Sequence, residues 1–385
     1  MTKRNLMYKV DDGEWFEYPD DQTKIDVPNG SKIYLKGDNN TFKETDFYTL
    51  KLEKKSSYSS LIRFNIGGYL TSLIQSTKFD EVDTVPDYAF NNLIYNHELI
   101  SAQNLITDNI KNVGLKSFYR FFYGCFSLQT LPEGMFGNIT SVGQSSFFDC
   151  FYNCTSLTTL PEGMFGNITS VGQQTFQSCF SGCTSLTTLP SNMFANITSV
   201  SIYSFQNCFT NCTSLTTLPE GMFSSIPNAH LGSFNYCFYN CTSLTTLPEG
   251  MFSSITSTNG GYSFQGCFSG CTSLTTLPSN MFANITSVNG GETFKSCFQN
   301  CTSLLVGPNF KNITGSTSHD AFDNCFDGCS NLQLIYAPSM SAWNESYFQD
   351  WVKGVFPTGK MYVKSGVVPP TGTSGLPEGW QLLNY

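Results

Sequence analysis

The sequence predicts an α/β repeat protein: a solenoid of stacked units, each a short strand, a tight connection and a helix, with a small N-terminal all-β domain and a C-terminal cap. Three observations predict it. A segment such as TFQSCFSGCTSLTTLPSNMFANITSV, Thr175 to Val200, recurs almost verbatim along the 385-residue chain. The last Cys of each copy, at Cys125, Cys154, Cys183, Cys212, Cys241, Cys271, Cys301 and Cys329, sets spacings of 29, 29, 29, 29, 30, 30 and 28. A fixed period of that size marks a stacked array, because one unit cannot cover its own apolar face and its neighbours complete the core. Within the unit, Phe176, Cys179, Phe180 and Cys183 stand at i, i+3, i+4 and i+7, the apolar stripe expected of a two-turn helix.

The rest of the unit is read in order. Thr184 to Pro190, with Leu186 and Leu189, is rich in Thr and Leu and stops at a proline, which predicts a short strand. The following SNMFANITSV carries Met193, Phe194, Ile197 and Val200 inward, with Asn192 and Asn196 suited to tight turns. Upstream, Tyr88 to His97 forms a degenerate copy with Leu93 and His97 at the Cys positions. Before it, Tyr8 to Val10, Trp15 to Tyr18, Ile25 to Val27 and Lys32 to Leu35 alternate in period two around turns at Asp12-Gly13 and Pro28-Asn-Gly30. Downstream, Leu332 to Tyr336, an amphipathic stretch near Trp343 to Val352, and Lys360 to Lys364 lead into GLPEGWQLLNY. The expected organisation is an N-terminal β-domain over 1–71, a degenerate capping repeat over 72–117, the solenoid over 118–338 and a cap over 339–385.

Phrases such as LPEGMFGNITSV (Leu131 to Val142, Leu160 to Val171) and CTSLTTLPEGMF resemble leucine-rich repeats. The alternation of F-x-x-C-F-x-x-C with T-S-L-T-T-L is similar to the BspA-like branch of that family, found on bacterial surfaces, in some parasitic protists and in phages of gut bacteria. The resemblance covers Phe118 to about Pro338 and, more weakly, 76–117. It implies a solenoid scaffold and a binding role, and it names no ligand.

Composition narrows the function classes. With 29 acidic against 20 basic residues and a net charge of -9, the chain has no basic stripe to neutralise phosphates, so nucleic acid is not an expected partner. No apolar run approaches the roughly 20 residues that span a bilayer, so membrane insertion is not expected. The amino-terminal MTKRNLMYKVDDGEWFEY has no secretory apolar core. That leaves two routes: a trimmed signal, or synthesis in the cytoplasm followed by another exit, as for a phage virion protein. Either way the expected location is extracellular-facing, on a virion or a bacterial cell surface.

Fifteen cysteines invite a disulfide framework, yet their pattern favours packing. Seven units carry C-x-x-x-C, and the first has Phe121 in place of the earlier Cys, a swap that a core tolerates and a bridge does not. Free buried thiols acting as small hydrophobes are the leading reading, disulfides within or between units stay open, and a zinc ladder is disfavoured because zinc sites pair C-x-x-C motifs.

Candidate chemistry is thin. His97, His230 and His319 lie in different units and do not recur. No nucleophile, metalloprotease or P-loop motif is present, so no catalytic residue, metal site or cofactor is expected. Glu133, Glu162, Glu220 and Glu249 could form a calcium row, but Ser191 and Ser279 break it. The Asn-Ile-Thr and Asn-Cys-Thr sequons are explained by repetition of a turn residue. The candidate working surface is the Thr-Thr ladder, with Thr159, Thr188, Thr217, Thr246 and Thr276 as the proposed binding row on the strand face. The plain reading is that Thr suits an exposed strand. The sharper one is a face for protein or glycan on a cell surface, and a regular threonine array also fits ice binding. The sequence thus points to a non-enzymatic recognition or adhesion protein, phage-encoded and host-facing or a bacterial adhesin. A structural spacer that contacts only neighbouring subunits of an assembly is the alternative.

Overall fold

The structure is a computed structural model and describes residues 6–17, 32–37, 64–74, 78, 80–94, 98–316 and 319–385. The expected strand at 25–27, the turn at 28–30 and His97 lie outside the described residues. From about residue 84 the chain winds into a stack of near-identical coils around one continuous apolar core that reaches Trp380.

The eight-residue stripe is not a helix. The described residues contain only two short 3-10 turns, Leu70–Leu73 and Glu345–Tyr347, so the expected α/β unit is corrected to a unit of strand and turn. In the unit 145–154 the amides of Cys150, Tyr152 and Cys154 donate to the carbonyls three residues back, Phe147, Asp149 and Phe151, at 3.1–3.2 Å. The amides between them, on Ser145, Phe147, Asp149, Phe151 and Asn153, donate across to Gln173, Thr175, Gln177, Cys179 and Ser181 of the next unit at 2.8–3.0 Å. The amides from Phe147 to Cys154 thus alternate between bonds along the stack and bonds within the coil.

Two physical facts select this ribbon of turns over a helix. Direct hydrogen bonding between units sets a stacking distance near that of paired strands, whereas packed helices need axes about 8–10 Å apart. The backbone also turns left-handed every fourth residue, at Ser145, Asp149 and Asn153 with φ of 54°, 53° and 57°, and again at Gln174, Ser178 and Gly182. The last of these sites is always Asn or Gly: Gly124, Asn153, Gly182, Asn211, Asn240, Gly270, Asn300 and Gly328 all have positive φ. Glycine and asparagine reach that region at least cost.

The stripe still faces inward. Phe118, Phe147, Phe176, Phe205, Phe234, Phe264, Phe294, Phe322 and Phe348 form a column with ring centroids 5.3–5.8 Å apart. A second column runs from Phe122 through Phe180 to Phe326 at 5.2–5.9 Å. A third, from Phe136 to Phe310 at 5.6–6.0 Å, wedges its rings edge-on between those of the first, as Phe165 does between Phe147 and Phe176 at 4.8 Å. Offset and edge-to-face contacts of this kind each contribute about 0.5–1.5 kcal/mol beyond burial.

The strands fall elsewhere than expected. Parallel pairing one unit apart joins Asn228–His230, Ser257–Asn259, Ser287–Asn289 and Gly315–Ser316, on the segment that follows Asn-Ile-Thr or its Ser-Ile-Pro and Ser-Ile-Thr counterparts. Thr84–Val85, Asn112–Val113 and Ser141–Val142 form the same ladder earlier. The Thr-Ser-Leu-Thr-Thr-Leu-Pro segments, expected as strands, make one backbone bond to the neighbouring unit: Thr187, Thr216, Thr245 and Thr275 donate to Thr158, Thr187, Thr216 and Thr245 at 3.1–3.2 Å. The proline that ends each segment has no amide to continue the ladder. In the last units that side becomes a four-stranded parallel sheet, Val306–Asn309, Leu334–Tyr336, Lys360–Val363 and Gln381–Asn384. Trp351 and Phe348 extend two phenylalanine columns there, with Trp343 against Phe348 at 4.2 Å.

Near the amino terminus, β1 (Leu6–Val10), β2 (Phe16–Glu17) and β3 (Ile33–Gly37) form an antiparallel sheet in the order β2-β1-β3. No helix among the described residues is long and apolar enough to cross a membrane.

Candidate binding face

Where the repeat keeps a polar side chain from unit to unit, the coil turns it into a row. Three rows of hydroxyls or amides are consumed by the stack. Thr187, Thr216, Thr245 and Thr275 each donate Oγ1 to the carbonyl of the Thr one unit back at 3.3 Å. Thr213, Thr242, Thr272 and Thr302 do the same at 3.4 Å. Asn138, Asn167, Asn196, Asn284 and Asn312, the Asn-Ile-Thr sites, donate Nδ2 to the preceding unit's backbone at 2.6–2.7 Å. Their sequon pattern is therefore a stacking device. The Asn-Cys-Thr sites Asn153, Asn211, Asn240 and Asn300 occupy the left-handed turn.

The neighbouring row behaves differently. Thr159, Thr188, Thr217, Thr246 and Thr276 are exposed, and among the described residues their hydroxyls make no intramolecular hydrogen bond. Sequence reasoning grouped both threonines of the doublet. The structure separates them: the first is a structural donor, and the second carries an unspent donor and acceptor into solvent. The row is uncharged and runs between bonded backbones, so its hydroxyls repeat at the unit spacing. Toward the carboxyl end it passes into the exposed Val306, while the exposed Leu305 stands in the place of the first threonine.

The other candidates do not converge. All fifteen cysteines are free and buried. Cys154, Cys183, Cys212 and Cys241 each donate Sγ to the carbonyl of a Phe in the preceding unit at 3.2–3.3 Å. Burial pushes Cys183 and Cys271 up to about 12, so these thiols stay protonated and unreactive. No group of three His, Cys, Asp or Glu able to hold a metal occurs among the described residues. Glu162 accepts from the amide and hydroxyl of Ser191 at 3.2 and 3.0 Å, so the serine that breaks the acidic row is tied to it. His319 meets Ser346 Oγ at 3.1 Å, far along the chain from His230.

One charged cluster escaped the sequence reading. Arg120 Nε lies 2.9 Å from Asp149 Oδ2 of the next unit, and its guanidinium sits 5.1 and 5.0 Å over Tyr119 and Tyr123. Burial outweighs the guanidinium and raises the Asp149 carboxyl to about 6. Asp323, also buried, is raised to about 6 although it accepts from the Gln349 amide. The signal for the Arg120 pair was present only as two single residues 29 apart in a sequence whose other units carry neither.

No protein-family model matches the chain, and no curated protein matches it. Among solved structures the leucine-rich repeat protein of T. pallidum, TpLRR, is similar over 50% of this chain and 72% of its own, at 19% identity and a TM-score of 0.29.

Proposed function

We propose that the chain is a non-enzymatic recognition protein of the BspA-like leucine-rich-repeat type that binds protein or glycan on a cell surface through Thr159, Thr188, Thr217, Thr246 and Thr276. The observation that carries the reading is the split of the threonine doublet: one row is spent on stacking and the other is exposed with its hydroxyls unspent. Weak hydrogen bonds repeated along a regular row sum to useful affinity only for a ligand that is itself extended or repetitive. The location that suits this role is extracellular-facing, on a virion or a bacterial surface.

Binding of labelled full-length protein to intact gut bacteria, and in parallel to animal matrix and epithelial cells, tests it. Saturable binding to a bacterial envelope supports a host-facing phage protein, and saturable binding to animal surfaces supports a microbial adhesin. Absence of saturable binding to every surface would overturn recognition and leave the structural spacer.

A further inference from the structure

The antiparallel sheet β2-β1-β3 carries a cluster that the threonine reading does not use. Lys9 pairs with Tyr34 and Met7 with both Lys36 and Glu17, so these five residues alternate onto one face of the sheet. On that face Lys36 Nζ lies 4.3 Å from the centroid of the Trp15 ring, and Lys9 Nζ lies 5.6 Å from the same ring and 4.8 Å from the Tyr34 ring. The indole thereby holds two ammonium groups within about 10 Å of each other, the limit set by those two distances. Among the described residues neither lysine forms an ion pair with a carboxylate, unlike Lys78, Lys295 and Lys353. Tyr34 is 40% exposed.

On this face two lysines stand against one carboxylate, Glu17, and the aromatic rings gather the two ammonium groups. The ring faces reduce the cost of holding both ammonium groups together and fix their positions, so an arriving anion meets donors that are already placed. We propose that this face binds an acidic polysaccharide, whose carboxylates engage Lys9 and Lys36 while a sugar ring rests against Tyr34. A protein partner is disfavoured by composition: Met7 is the only aliphatic residue among the five that share the face, and protein interfaces centre on desolvated apolar anchors. Trp15 is a positioning residue, and Lys9, Lys36 and Tyr34 are the contacting ones.

The test uses the full chain and immobilised polygalacturonate, with its fully methyl-esterified form as a neutral control of the same shape. The expected result is saturable binding to the acid that weakens as salt is raised, and at least about tenfold weaker binding to the ester. Lys9→Gln/Lys36→Gln should weaken binding to the acid by about tenfold or more. Tyr34→Ala should weaken it as well, and Tyr34→Phe should retain it. Equal binding to acid and ester, or no change in either the lysine double variant or Tyr34→Ala, overturns the proposal. Because both lysines are half-buried with their ammonium groups over ring faces and not in the core, a folding failure of the tyrosine variant does not remove the test. Replacing the threonine row should leave this binding unchanged, so the two sites fail independently; loss of polygalacturonate binding in that variant would assign the ligand to the threonine row and sink the present one.

Discussion

Ser178 distinguishes the turn ribbon from a helix by the sign and size of two substitutions. Its φ of 53° lies in the left-handed region, and no hydrogen bond holds its side chain. An L-residue costs roughly 1–2 kcal/mol there, and a β-branched one more, because its second Cβ substituent crowds the carbonyl. Ser178→Val should therefore destabilise by about 2 kcal/mol. Ser178→Gly should be neutral or stabilising, since relief of that strain offsets the roughly 0.5–1 kcal/mol entropic cost of glycine. In a helix the order reverses: Ser→Val is nearly neutral and Ser→Gly costs a few tenths of a kcal/mol. Ser296, with φ of 54° in a distant unit, supplies a replicate, and the two effects should add. Urea unfolding followed by circular dichroism measures both. A valine variant within about 0.5 kcal/mol of the parent, or a glycine variant less stable than the valine one, would refute the ribbon.

Three further outcomes follow from the core and its buried charges. Phe180→Ala removes a fully buried ring stacked on Phe151 and Phe209 at 5.2 and 5.4 Å, and should cost about 3–5 kcal/mol in urea unfolding. Because each unit contacts only its neighbours, the m-value should fall as the stack splits at that point. Thiol titration should find all fifteen cysteines free in denaturant and none reactive in the native protein, whereas one or three in denaturant would establish disulfides. Folding raises the Asp149 and Asp323 carboxyls to about 6, so the folded chain holds these protons more tightly than the unfolded one. That contribution is full below about pH 4 and is lost as pH rises through 6. Asp149 alone should make the protein more stable at pH 5 than at pH 7 by on the order of 1 kcal/mol, and Asp149→Asn should shrink that difference.

The period, the inward positions and the free thiols were legible because each rests on composition repeated many times. Phe176, Cys179, Phe180, Cys183, Met193, Phe194, Ile197 and Val200 are all buried as expected. The conformation of the stripe was not legible from hydrophobicity. Positions i, i+3, i+4 and i+7 fit a 3.6-residue helix and a four-residue turn ribbon equally well over eight residues, since the two periods diverge only over longer runs. The distinguishing signal lay in the polar residues: Gly or Asn before the last Cys of each unit, preceded four residues earlier by Ser, Asn, Asp or Gly in most units. The strand was misplaced for a related reason. Thr-Ser-Leu-Thr-Thr-Leu has the higher strand propensity, yet its closing proline and its carbonyl-bonded hydroxyls reduce it to one backbone bond between neighbouring units. Of the candidate site, the threonine doublet was legible as a row, but not which threonine is spent, because that depends on which hydroxyl reaches the preceding carbonyl. The Lys9, Trp15, Tyr34 and Lys36 face depends on strand register and had no motif to announce it.

The most direct measurement compares two fivefold valine variants, one at Thr159, Thr188, Thr217, Thr246 and Thr276, the other at Thr158, Thr187, Thr216, Thr245 and Thr275. Each is assayed for surface binding and for urea stability. The first should lose binding and keep its stability. The second should keep binding and lose about 0.5 kcal/mol for each of the four hydroxyl bonds removed. Retained binding in the first variant, or its loss in a folded second variant, would contradict the assignment of recognition to the exposed row.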